Sequence, residues 1–189
     1  MTSITERRVP GEEGIWVFIL GDLMIFSAFF CVYTWYRSLD PETFLASQAL
    51  LNQNYGAVNT LFLLASSWFV VLAVHSARNG DGRRAPGLIA WAFLCGLAFS
   101  LVKIIEYREK LSAGYTPLSD DFFMYYYIFT GIHFLHVIIG MGVLLFLFHK
   151  ARAGIRTSRE ISFLESGASY WHMVDLLWIV LFTLLYLVR

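Results

Sequence analysis

Five apolar runs leave few folds open to this chain: about Ile15 to Tyr36, Val58 to Ala77, Pro86 to Tyr107, Phe122 to His149 and Gly167 to Val188. Each holds about 20 residues or more, the length at which an α-helix crosses roughly 30 Å of hydrocarbon. A backbone surrounded by lipid must bond its own N–H and C=O groups, and a helix does so within one segment. The runs therefore predict an all-α integral membrane protein, a bundle of five transmembrane helices forming one membrane domain over residues 1–189. Only 15% of residues are charged and 58% are hydrophobic, where a soluble domain carries about a quarter charged residues.

The formal net charge of zero offers no electrostatic basis for binding nucleic acid. Cys31 and Cys95 fall inside apolar runs with no CxxC spacing, so they are expected to be small buried hydrophobes rather than redox groups. The first run lacks a small-residue cleavage site and is expected to be a retained helix. Pro86 suits a helix start. The connection from Arg37 to Ala57 could hold a short surface helix in its middle, Phe44 to Leu51, with Pro41 near the start, or remain a solvated loop.

Lys and Arg are shared unequally between the two ends. The N-terminal tail (Arg7, Arg8), the second connection (Arg78, Arg83, Arg84) and the fourth (Lys150, Arg152, Arg156, Arg159) hold nine, against four on the other side (Arg37, Arg108, Lys110, Arg189). Positive-inside counting then puts the N-terminus in the cytoplasm and the C-terminus in the periplasm.

Several ionisable residues lie where lipid would be expected. Asp22 and Asp175 fall at similar depths in the first and last runs, and His172 lies one turn from Asp175 on the same face. An unpaired charge at such depth costs at least about 2.5 to 3.5 kcal/mol on the insertion scale, so these groups should face protein, head groups or water. Lys103 and Glu106 stand three residues apart near the end of the third run, and read as an interfacial ion pair whose long side chains reach water. His133 and His136 occupy neighbouring turns of the fourth run. They could supply part of a metal site, with a further ligand from His172, Asp175 or Asp22, or hydrogen bonds that lock helix to helix. His75 and His149 lie at helix ends, where carbonyls or water are the ordinary partners.

Taken together, the motifs resemble the subunit III family of haem-copper oxidases. Tyr170-Trp171-His172-Met173-Val174-Asp175-Leu176-Leu177-Trp178 is similar to the family's W-H-F-x-D-x-x-W signature, with Met173 in place of phenylalanine and Glu165 matching an acidic residue that precedes it. Thr130-Gly131-Ile132-His133-Phe134-Leu135-His136-Val137 resembles T-G-x-H-G-x-H-V, with Phe134 replacing glycine. Asn59-Thr60, Ser66-Ser67 and Glu106-Tyr107 match further pairs, and Gly21-Asp22-Leu23-Met24-Ile25-Phe26 is similar to S-[ED]-x-x-x-F. The chain has the five helices of the short bacterial members rather than seven. Its Asp120-Asp121-Phe122-Phe123-Met124-Tyr125-Tyr126-Tyr127 looks most like relatives associated with nitric oxide reductase.

The resemblance implies a non-catalytic accessory subunit with no cofactor of its own, placed in the bacterial inner membrane beside a haem-bearing subunit I and, as a further neighbour, subunit II. It also implies bound phospholipid and support of proton uptake. Asp22, His75, Glu106, His133, His136, His172 and Asp175 are then the lipid-cleft or proton-related positions, and none is catalytic. Two other classes compete: a small proton or ion pathway built around Asp22, His172 and Asp175, and a metalloenzyme centred on His133, His136 and Asp175.

Overall fold

A computed structural model describes residues 10–155 and 157–188, so Arg7, Arg8, Arg156 and Arg189 of the charge count lie outside the described residues. Among the described residues six α-helices follow in order: α1 (Glu13–Leu39), α2 (Pro41–Ala49), α3 (Gln53–Arg78), α4 (Ala85–Ser112), α5 (Asp121–Ala153) and α6 (Ser158–Phe182), the last continued by a π-helical turn (Thr183–Leu187). All but α2 are long and apolar enough to cross a membrane, which matches the five expected spans.

The helices outrun the apolar runs because polar residues start and end them. Asn52 accepts from the Asn54 amide and starts α3 ahead of Val58. Thr157 and Glu160 form a reciprocal capping box that starts α6 well before Gly167. Asp40 accepts from the Thr43 amide at 3.3 Å, and Pro41 follows as the first residue of α2. The short helix is therefore real, and Phe44 anchors it by burying its ring against Tyr33 and Phe122.

Two layers of packing fill the bundle. Along α3, α4, α5 and α6, small residues let backbones approach: Ala73, Ala85 and Ala92 are fully buried, and such residues let membrane helices gain dispersion contact without a hydrophobic driving force. Gly140 faces the Trp171 ring so closely that an added Cβ would lie 2.6 Å from it. At the end of the bundle where α2 lies, aromatic rings dominate. Phe122, Phe123 and Tyr126 pack with Tyr33, Phe44 and Tyr186. Asp120 starts α5 there, accepting from the Phe123 amide at 2.7 Å and from Ser47 Oγ at 2.6 Å. The Asp120–Tyr127 stretch is thus a helix start and a ring cluster that fix α2 to α5.

α1 packs on α6 and, through Phe26, Phe29 and Tyr33, on α5. Its other face, with Val17, Leu20, Met24, Ile25 and Trp35, is exposed. Cys31 shares that exposure and Cys95 is half-buried, which corrects the expectation that both are buried: an apolar face without a neighbouring helix need not be inside the protein to avoid water.

Gly140→Ala is expected to destabilise the protein by about 1–3 kcal/mol through overpacking against Trp171. Gly142→Ala, where nothing lies within 4 Å of the new Cβ, serves as the control and should be neutral or slightly stabilising. Unfolding in micelles reads both.

Candidate functional site

Most of the polar positions fall into three clusters, each tying particular helices together. The first lies between α4, α5 and the π turn. Lys103 Nζ donates to Glu106 Oε2 at 2.9 Å, to Tyr126 Oη at 3.1 Å and to Tyr186 Oη at 3.0 Å, while Tyr186 Oη donates to Glu106 Oε1 at 2.6 Å. The ammonium also lies 4.7–5.6 Å from the ring centres of Tyr126, Tyr107, Trp178 and Tyr186, close enough for cation–π attraction. Lys103 is 1% exposed and Glu106 0%. The ion pair is as expected, but the side chains do not reach water. α4 continues to Ser112, so Lys103 lies nine residues from its end, about 13 Å and beyond the reach of a lysine stem.

The second cluster sits on the signature of α6. Trp171 Nε1 donates to Ser66 Oγ at 3.0 Å, and Ser66 Oγ donates onward to the Ala92 carbonyl at 2.8 Å, so one hydroxyl joins α6, α3 and α4. Trp178 Nε1 donates to Thr60 Oγ1 at 3.0 Å. His172 Nδ1 is 2.6 Å from Ser67 Oγ and 3.9 Å from Asp175 Oδ2. Serine, histidine and aspartate thus meet, yet both contacts use the same ring nitrogen. A nucleophile–base–carboxylate relay needs the two on opposite nitrogens, so the trio is not a hydrolytic triad. Both Asp175 oxygens are buried without a hydrogen-bond partner, and His172 is the near charge complement.

The third cluster separates the two histidines of α5. His133 is fully buried, its Nε2 3.1 Å from the Val174 carbonyl and its ring against Phe99 and Trp178. His136 turns toward α1, with Nε2 3.3 Å from Asp22 Oδ2 and the ring edge-on to Phe26. That contact has ion-pair distance without the alignment of a hydrogen bond, because Oδ2 has no hydrogen-bond partner. Asp22 has no basic neighbour in sequence; the fold supplies one from α5. Asp22 and Asp175 take different histidines and do not form the shared seam that equal depth would allow.

His75 lies apart, its Nε2 2.9 Å from the Asn79 side-chain Nδ2. Glu165 has a role that spacing alone could not assign. Its Oε2 accepts from the Gly11 amide at 2.8 Å and its Oε1 from Arg78 Nε at 2.8 Å, so it fastens the start of α1 and the end of α3 to α6. Among the described residues no three His, Cys, Asp or Glu side chains gather as a metal site requires. His133, His136 and Asp175 each face a different partner, which removes the arrangement on which the metalloenzyme alternative depended.

The family model described as cytochrome c oxidase subunit III matches residues 10–188. The chain belongs to that family. A probable cytochrome c oxidase subunit 3 of Mycobacterium tuberculosis is 32% identical over 179 residues, which cover 93% of this chain and 87% of the relative. A cytochrome c oxidase subunit 3 of Synechocystis sp. is 32% identical, covering 92% of this chain and 74% of the relative. A cytochrome bo(3) ubiquinol oxidase subunit 3 of Buchnera aphidicola is 27% identical, covering 92% of each. As a family member the chain is an accessory subunit of a respiratory haem-copper oxidase. The family signature on α6 is thereby given physical content, since Trp171, His172 and Trp178 all reach hydroxyls of α3.

Trp171→Phe and Ser66→Ala are each expected to cost about 0.6–1.7 kcal/mol from the lost interhelical hydrogen bond, plus a packing loss for the tryptophan. The double variant should cost less than the sum, and additive losses measured by unfolding in micelles would show that the bond contributes nothing.

Proposed function

We propose that the chain is the non-catalytic subunit III of a bacterial terminal oxidase in the inner membrane, placed beside subunit I with subunit II nearby, holding phospholipid and supporting proton uptake by its partner. The observation that carries this reading is the way the polar side chains are used. Lys103 meets Glu106, His136 meets Asp22, His172 meets Ser67 and Asp175, and His133 meets a backbone carbonyl. The contacts of Lys103 join α4 to α5 and the π turn, those of His136 join α5 to α1, that of His172 with Ser67 joins α6 to α3 and that of His133 joins α5 to α6, which is how a scaffold is braced; a proton pathway would need these groups linked in series. The exposed apolar face of α1 is free for lipid or for the larger subunit.

On this proposal the N-terminus is cytoplasmic and the C-terminus periplasmic, the end holding Arg78, Arg83, Arg84, Lys150, Arg152 and Arg159 facing the cytoplasm. The oxidase is preferred as partner over nitric oxide reductase. The acidic-aromatic stretch that suggested the reductase already has a local role in starting α5 and seating α2.

Tagged full-length chain, expressed with its neighbouring genes, should co-purify with a haem protein that consumes oxygen, while the chain alone shows no haem absorbance. Stoichiometric haem in the isolated chain would refute the proposal, and a co-purified complex that reduces nitric oxide but not oxygen would replace the oxidase as partner. A reporter active only in the cytoplasm should be silent when fused at the C-terminus.

A further inference from the structure

Cationic and aromatic side chains surround the connection between α5 and α6. A cavity of about 390 Å³ opens there, and its lining includes Phe146, Lys150, Thr157, Arg159, Glu160 and Phe163. The volume lies within the range of small-molecule sites, about 300–1,000 Å³. None of its lining residues belongs to α1, α3 or α4, so it is separate from the clusters described above.

The lining has two distinct parts. One is cationic: Lys150 Nζ lies 5.8 Å from the Phe146 ring centre and the Arg159 guanidinium 5.5 Å from that of Phe163. Among the described residues neither cation has a carboxylate within ion-pair distance. The nearby acid, Glu160, is engaged in the capping box, its Oε2 2.9 Å from both the Thr157 amide and the Thr157 hydroxyl. The first turn of α6 also opens on the cavity and adds the positive end of a helix dipole. The other part is apolar and open: Phe146 is 53% exposed and Phe163 40%. A pair of rings this exposed, at the end of two membrane-spanning helices, lies where acyl chains meet head groups.

We propose that this cavity binds one anionic phospholipid, its phosphate between Lys150 and Arg159 and its upper acyl chain against Phe146 and Phe163. Charge complementarity decides the occupant. A phosphodiester bearing a glycerol head keeps its negative charge for the two cations, whereas a choline head would bring a quaternary ammonium against them. Basic pockets between membrane helices on the cytoplasmic side select anionic lipids on the same physical basis, and the orientation proposed above places this end there.

Native mass spectrometry of the full-length chain in detergent tests the proposal without requiring a partner or an orientation. Dioleoylphosphatidylglycerol should be retained and dioleoylphosphatidylcholine should not. The K150Q/R159Q variant should bind phosphatidylglycerol roughly 30-fold more weakly, while the charge-keeping K150R/R159K exchange retains it. Phe163→Ala should weaken the lipid but leave any binding of glycerol phosphate unchanged. Equal retention of the two lipids, or unchanged binding by a folded K150Q/R159Q variant, would overturn it. So would glycerol phosphate binding as tightly as the lipid, which would make the cavity a site for a free phosphate.

Discussion

Lys103 and Glu106 are 1% and 0% exposed, so inside the bundle each is the charge partner on which the other depends. Removing either charge from water costs several kcal/mol, and their attraction offsets this only if the remaining hydrogen-bonding capacity is also met. Tyr126 and Tyr186 meet it, and the surrounding rings stabilise the ammonium. The pair therefore dictates the local structure. Tyr186 must point inward, the π turn at Thr183–Leu187 brings it there, and the carbonyls freed at the end of that turn need donors of their own. Gln53 donates to the Tyr186 carbonyl at 2.8 Å, while Gln48 and Arg37 donate to that of Val188 at 2.9 and 2.7 Å. One desolvated ion pair thus organises the last turn, the short helix and the ends of α1 and α3.

The same logic repeats along the bundle. In its middle, indole N–H groups of Trp171 and Trp178 reach serine and threonine hydroxyls on α3. At the opposite end Glu165 gathers the chain entering α1 and the last turn of α3. α6 takes part at every level, and among the described residues it holds more buried residues than any other helix. An accessory subunit needs a unique shape, and directional bonds in a low-dielectric interior define one more sharply than apolar packing alone.

Asp40-Pro41 left α2 open between a short helix and a solvated loop, whereas the five spans and the family were legible because they rest on run length and on motif spacing. Partners were not. Sequence spacing set His133 beside His136 on one face, yet a small angular offset was enough to send one to α6 and the other to α1. The apolar run ends near Lys103 but the helix does not, because Arg108, Glu109 and Lys110 continue it and leave Lys103 inside the bundle. Tyr186 gave no signal, since a π turn shifts a side chain off the face that 3.6-residue spacing predicts. The cavity at Lys150 and Arg159 was visible only as a count of charges until the fold set two phenylalanine rings beside them.

That the buried charges brace the protein is tested most directly by a double-mutant cycle on Lys103→Met and Glu106→Leu, read as unfolding free energy in micelles. Each single change leaves a buried charge unpaired and should cost about 3–5 kcal/mol, while the double variant, with both charges gone, should lose far less than the sum. Simple additivity would contradict the account, because it would mean the two charges do not depend on each other for their place in the bundle.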